Sequence, residues 1–562
     1  MYFDRHQAQW TRIIFIFCLI AFSVMRWSAI GFTAFEGPGL DMIGFFEGNE
    51  NSSYLTQDFF TQASLNANPR HIFGYFIVWL THILQLSSWY QTFFTIKIIM
   101  ISFLPTSLFL FFERINKLNQ QPSLKASLLN FICVSIAVLS PFLPQFLSIQ
   151  SWFSVAWWIP YFDYVAPHSL GFLLGLWAVI ATWTHPFSKS ILISIFFYVA
   201  AFLIQGSVAI GFLIFSGCLL IAFWGNFTWS FKINLLKIHL LQGSTGLIVL
   251  LILQNFYLVP SQLSGKNVFD IYVRLAHPSH YLPSHFGSNS GKSWLISLLS
   301  CVIWILLPVL INVFLNKKRP SDVLKRFTIC ALIFYLGSIG LQELISSGFY
   351  VKSLILLGPA RWTLFGYWLG LANFVIYMNT QSLVSLNTSR QRPNSFSLFI
   401  ICVASLVISF VIPKDDPHSK YEQQYSDLLN WIKSKTANEA VFSVPFGSLT
   451  QIIPWLGPRA IFTGTGFPFR EDFYEEYALR ESTMFGTPEE RDNENASWIG
   501  GAMANVYRHR QPNDFLKAQQ KYKLDYIILE NNYKDQFAQF TPSFVGKDFT
   551  IYKLETIKAE LK

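Results

Sequence analysis

Long apolar runs separated by short polar segments organise most of the chain. A helix needs roughly 20 apolar residues to cross a bilayer. Eleven runs approach that length: 12–34, 92–112, 126–148, 168–184, 190–205, 207–224, 238–257, 293–315, 327–345, 361–379 and 396–413. A further run, 71–88 (HIFGYFIVWLTHILQLSS), is apolar but short and is interrupted by His71 and His82. The first run follows Arg5 and Arg12 and lacks a small-residue cleavage pattern, so it reads as a retained first helix.

At Lys414 the pattern changes. Asp, Glu, Lys and Asn become common, and short buried strands alternate with amphipathic helices. Helices are expected at 426–435, 470–482 and 514–523, and strands at 440–445, 459–464, 524–530 and 548–555. The expected fold is therefore an all-α polytopic membrane bundle of about eleven transmembrane helices over 1–413, with a long first outer loop at 35–91. A small α/β domain over 414–562 follows.

Composition narrows the class further. Hydrophobic residues make up 52% and aromatic residues 17% of the 562, against 13% charged. A soluble domain carries roughly 25% charged residues, so a soluble globule, a disordered chain and a coiled coil are all excluded. The net charge of +9 points to no nucleic-acid partner, because most Lys and Arg sit in loops between apolar runs. All six cysteines lie inside apolar runs, which suggests neither a zinc site nor a disulfide framework.

Charge also orients the chain. With 71–88 lying in the interface, one side receives Arg5, Arg12, Arg114, Lys117, Lys125, Lys189, Lys232, Lys237, Lys317, Lys318, Arg319, Lys325, Arg326, Arg390 and Arg392. The other side keeps Arg70, Lys266, Arg274, Lys292 and Lys352. The positive-inside rule then places the N-terminus in the cytoplasm and the C-terminal domain outside. It also puts the loops at 35–91, 150–167, 258–292 and 346–360 on the outer face with that domain.

Those outer loops hold the candidate chemistry. The first carries Glu36, Asp41, Glu47, Glu50 and Asp58; a carboxylate at a membrane surface can act as a base or hold a divalent cation, or simply keep the loop soluble. Asp58 stands out between apolar residues, with Asn68-Pro69-Arg70 beyond it. The run Arg274-Leu-Ala-His277-Pro-Ser-His280-Tyr281-Leu-Pro283 sets two histidines three apart, able to bind phosphate, a metal or a hydroxyl-rich substrate, or to anchor in the interface. Asp163 lies among aromatics at a membrane boundary. Arg361, at the outer end of a span, offers a planar fork suited to a lipid phosphate, or snorkels to headgroups.

The N-terminal helix, the acidic first outer loop with interfacial helices, the many spans and the outer domain together resemble the GT-C superfamily of membrane glycosyltransferases. The segments Asn49-Glu50 through Asp58-Phe59-Phe60 to Pro69-Arg70, and His277-Pro278-Ser279-His280-Tyr281-Leu282-Pro283, are more sharply similar to uncharacterised bacterial multi-pass proteins with an H-P-H-H-Y-x-P-like loop, Ser279 replacing a histidine. The GT-C resemblance implies transfer of a sugar from a polyprenyl-phosphate donor to an envelope glycan, lipid or protein acceptor on the outer face of a bacterial plasma membrane. It implies Asp58 or Asp41 as base, with a divalent cation as a possible cofactor. Arg70, Asp163, Arg274, His277, His280, Tyr281 and Arg361 would bind substrate. The alternative is a non-enzymatic polytopic membrane protein of the same fold, a polysaccharide or lipid transporter or an assembly scaffold.

Overall fold

A computed structural model describes residues 2–30, 42–118, 124–139, 167–184, 189–257, 262–282, 291–315, 319–381 and 417–561, apart from 465, 495, 497, 498 and 534. Its N-terminal part is helical: α1 Tyr2–Ile30, α2 Ile43–Glu50, α3 Phe59–Leu65, α4 His71–Ile83, α5 Trp89–Leu118, α6 Leu124–Leu139, α7 Pro167–Thr184, α8 Lys189–Ala222, α9 Trp229–Tyr257, α10 Gly291–Leu310, α11 Asp322–Ser346 and α12 Thr363–Gln381.

Among the described residues, four helices are long and apolar enough to cross a membrane: Trp89–Leu118, Ile191–Ala222, Trp229–Leu253 and Asp322–Ser346. This corrects the expected count of about eleven. The apolar stretches of α1, α6, α7 and α10 are shorter, and the run 396–413 lies outside the described residues. The runs 190–205 and 207–224 are the two arms of a continuous helical segment, α8, broken at Gln205 (φ −155°, ψ 89°). Ser194 hydrogen-bonds Thr182 (2.6 Å), and Ser216 accepts from the indole of the next residue, Trp183 (3.0 Å). In a straight helix Ser194 and Ser216 would stand roughly 33 Å apart, so α8 doubles back at Gln205 and its two arms run antiparallel along α7.

The bundle has two chemically different ends. At one, Arg12 pairs with Glu113 (3.1 Å), Asn130 donates to Glu113 (2.8 Å), Arg114 donates to the Trp183 carbonyl, and Asn226 donates to Leu118 O (3.3 Å). Arg326 lies against Gly225 there. At the other end, Trp89 donates to Glu47 (3.0 Å), and Trp362 donates to Ser207 O (2.9 Å) beside the bend of α8. Helix α4 is 13 residues long, about 20 Å, and so too short to cross the ~30 Å of hydrocarbon. One of its faces buries Phe73, Gly74, Ile77 and Thr81, while Tyr75, Trp79 and Ile83, four apart, are exposed together. Both faces of α4 are therefore apolar, the exposed one as well as the buried one.

The C-terminal part holds α13 Ser426–Lys435, α14 Leu449–Leu456, α15 Tyr474–Phe485, α16 Pro488–Asp492, α17 Ile499–His509 and α18 Pro512–Lys521. These helices pack around a five-stranded sheet of order β2-β1-β3-β5-β4, with β1 Val441–Ser443, β2 Ala460–Ile461, β3 Tyr526–Glu530, β4 Phe544–Val545 and β5 Phe549–Lys553. Strands β2, β1 and β3 are parallel, and β5 runs antiparallel to both β3 and β4. Side chains alternate across the sheet as a pleat requires. Phe442, Ile461, Ile528 and Ile551 face α13 and α14; Val441, Ala460, Ile527 and Tyr552 face the other helices. The expected helix at 426–435 is found at those bounds, whereas strand 459–464 shrinks to two residues. Helices α14 and α17 were not expected: Pro454 inside the first, and Gly500-Gly501 in the second, disguise them.

Candidate functional site

The C-terminal domain meets the bundle at the end remote from Arg12 and Glu113. The segment Gly265–Val268 begins a short helix that continues as a π-helix, Phe269–Ala276. His277 breaks it (φ −134°, ψ 44°), and Pro278 opens the next turn, Pro278–Tyr281. This folds Tyr281 back so that its hydroxyl meets that of Tyr272 at 2.7 Å. His277 Nδ1 lies 3.1 Å from the Tyr272 carbonyl. A carbonyl only accepts, so Nδ1 carries the proton and Nε2 is the basic nitrogen.

Phe467 of the C-terminal domain is the hub. Its ring lies 5.1 Å from His277, 5.2 Å from Tyr272, 4.8 Å from Tyr474 and 5.0 Å from Tyr477. Phe469 touches Phe467 at 5.5 Å and carries the guanidinium of Arg70 on its face, 3.7 Å from the ring centre. On the far side Arg361 stands 4.7 Å above the Tyr281 ring. Burial pushes the Tyr281 hydroxyl well above its usual range, against the pull of Arg361. Gly358 is left-handed (φ +62°), and a Cβ there would sit 2.2 Å from the Tyr281 ring, so only glycine fits.

Arg70, His277, Tyr281 and Arg361 are thus brought together through one aromatic cluster. Arg70 also lines a cleft between the first loop and Gly466–Phe469, with Ser64 and Asn68 beside it. The cleft lies beyond the carboxyl end of β2, the edge strand of the sheet.

The other candidates behave differently. Asp58 is buried and both its oxygens are engaged: Oδ2 accepts from Thr61 N (2.7 Å), capping α3, and Oδ1 accepts from Ile461 N (3.1 Å) on the edge strand β2. Burial pushes its carboxyl above the usual range, opposed by those two bonds and by Arg480. Arg274 points away from the cluster, pairing with Glu489 (2.9 Å) and Asp270 (3.6 Å). The His280 side chain, Asp41 and Asp163 lie outside the described residues. Among the described residues no three His, Cys, Asp or Glu side chains converge to hold a metal.

Sequence reasoning missed the groups that the C-terminal domain supplies. Phe467 and Phe469 were signalled only by the aromatic run Phe467-Pro468-Phe469 after two glycines. Arg480 lies over Phe59 (4.8 Å), Phe462 (5.1 Å) and Tyr522 (4.9 Å), joining the first loop to the domain. Arg491 and Glu481 form a buried pair (3.2 Å) behind the π-helix. Neither had any signal in the pattern of the chain. No protein-family model and no curated protein matches this sequence.

Proposed function

We propose that this chain is a multi-pass membrane protein with a cytoplasmic N-terminus and an outer C-terminal domain, and that it transfers a sugar from a polyprenyl-phosphate donor at the junction of the two, in the manner of GT-C enzymes. One observation carries the reading: Arg70, His277, Tyr281 and Arg361, from three separate outer segments, converge on the Phe467 cluster at the end of the bundle opposite the basic one. Arg361 and Arg70 supply planar donors for a lipid phosphate. His277, its tautomer fixed by the Tyr272 carbonyl, accepts the proton of the acceptor hydroxyl. Asp58, with both oxygens engaged, holds the first loop to the domain rather than serving as the base.

A second reading, a non-enzymatic transporter or scaffold, is favoured by the same engagement of Asp58 and Arg274, which ties charges into docking. Reconstitution decides between them. In vesicles holding the purified chain and a panel of polyprenyl-phosphate hexoses, His277→Gln should lower donor turnover roughly 10²–10⁴-fold without altering the melting temperature. Wild-type vesicles that consume none of the donors favour the second reading.

A further inference from the structure

Helix ends leave carbonyls without intrahelical partners. Leu275, next to the end of the π-helix, has its carbonyl taken by Arg491 Nη1 at 2.8 Å. The same guanidinium donates through Nε to the Phe485 carbonyl at the end of α15 (2.9 Å), and through Nη2 to Glu481 Oε1 (3.2 Å). Arg491 therefore caps two helix ends at once, one from each part of the molecule. The pair is sealed: side-chain exposure is 1% for Arg491 and 2% for Glu481. Among the described residues Glu481 Oε2 has no hydrogen-bond partner, and Arg491 is the cation that compensates its charge.

We propose that Arg491 and Glu481 form a pH-responsive clamp that holds the C-terminal domain on the π-helix, and that Arg491 is thereby a positioning residue for His277, two residues beyond the carbonyl it grips. The clamp stands on its own geometry and does not depend on the transferase reading.

The other charged groups around the clamp pair among themselves, and His277 and His509 are the imidazoles nearest to it. The π-helix brings Asp270 and Arg274, which pair with each other and with Glu489. Of the remaining α16 carboxylates, Glu490 pairs with Arg510. On α15 itself Arg480 pairs with Glu476, and Glu471 just before it pairs with Lys352. On α17 Arg508 pairs with Glu530, and His509 lies 3.8 Å from Glu494. On α18 Asp514 caps its own helix at Gln511 N. Tyr474 is held protonated by burial. Burial drives Glu481 up to about 7, with Arg491 pulling it back.

The sign follows from linkage. A carboxyl whose folded value is raised stabilises the closed form fully below its unfolded value near 4.5, and that contribution is lost as the pH rises through about 7. A protonated Glu481 still offers Nη2 an acceptor while removing the cost of a buried charge. Docking is thus expected to tighten on acidification, by tens of fold between pH 8 and pH 5 if opening exposes Glu481 to water.

Hydrogen exchange on the full chain in lipid nanodiscs tests this, with rates corrected for intrinsic chemistry. Protection of amides 270–277 should rise tens of fold from pH 8 to pH 5. Glu481→Gln should abolish that dependence and hold the segment at its acid-like protection at pH 8. Arg491→Lys, which keeps the charge but loses the fork, should lower protection at every pH. Amides of Ile527–Leu529 in β3 report throughout whether the domain is still folded. Wild-type protection that does not change between pH 5 and pH 8, or a dependence that survives in Glu481→Gln, overturns the proposal.

Discussion

The helix bundle and the C-terminal domain are built inside out relative to one another. In the domain the sheet buries Phe442, Ile527, Ile528 and Ile551, while its surface carries ion pairs such as Arg480 with Glu476 and Arg510 with Glu490. In the bundle the outside is apolar. Only 22% of the most apolar stretch of α9 and 28% of that of α8 is buried, and Leu240, Leu247 and Phe196 stand open. Its interior holds polar links: Gln242 donates to Ser194 (2.6 Å) and to Thr182 (3.1 Å). Apolar surface on that scale is incompatible with water and ordinary in lipid. The comparison teaches where charge can be buried. At the junction, where the two surroundings meet, Asp58, Glu481 and Arg491 lie buried together with their partners, as Glu113 does at the bundle's other end and Arg459 within the domain.

The largest expected effect lies at that junction. Arg491→Met leaves Glu481 buried without compensation and should lower stability by about 3–5 kcal/mol at pH 8. The loss should be smaller at pH 5, where Glu481 is protonated. Adding Glu481→Leu should recover much of it. Thermal unfolding of the three proteins at the two pH values measures this; a pH-independent loss would mean that the pair is not what Arg491 serves.

Next come the two surfaces. Leu247→Arg, on the open face of α9, should raise the cost of membrane insertion by about 2.5–3.5 kcal/mol. Leu479→Arg, on the exposed side of α15, should change stability by no more than about 0.5 kcal/mol. Membrane fractionation for the first and a melting curve for the second are sufficient. Equal effects would erase the contrast between the two parts.

Asp58→Asn should cost about 1–2 kcal/mol, because a neutral amide oxygen can satisfy only one of Thr61 N and Ile461 N. Exchange should quicken at Thr61 and Ile461 before it does elsewhere in the domain.

What the sequence made legible follows the same division. Periodicity located α13, which has one wet and one dry side, whereas β3 and β5 were legible as short continuous apolar runs because helices cover both faces of the sheet. Charge asymmetry gathered Arg12, Arg114 and Arg326 at one end. Apolar length overcounted the spans, since the apolar stretches of α1, α6, α7 and α10 fall short of the length a crossing needs. The candidate site was half legible. Arg70, His277, Tyr281 and Arg361 stood out as polar groups or motif members in apolar neighbourhoods, but Phe467 resembled any core aromatic. Arg491 resembled any surface arginine in its charged run, and its burial is decided by a carbonyl 216 residues away.

The smallest expected effect separates docking from chemistry most sharply. By sequence, Arg274 and Arg361 were equivalent phosphate-fork candidates. Arg274 is 42% exposed and its partner Glu489 67% exposed, so screening leaves their bond worth less than about 1 kcal/mol. Arg274→Ala should therefore barely move the melting temperature, and what it does move should shrink further at 1 M salt, where the Debye length falls to about 3 Å. Arg361 sits instead over the buried Tyr281 ring at the cluster. If the cluster binds a phosphate, Arg361→Ala should weaken binding of a polyprenyl phosphate by about 1.5–3 kcal/mol, the worth of a hydrogen bond to a charged group, while Arg274→Ala leaves it unchanged. Equal losses from the two variants would place the phosphate at the exposed edge of the junction, beside Glu489, and not at the Phe467 cluster.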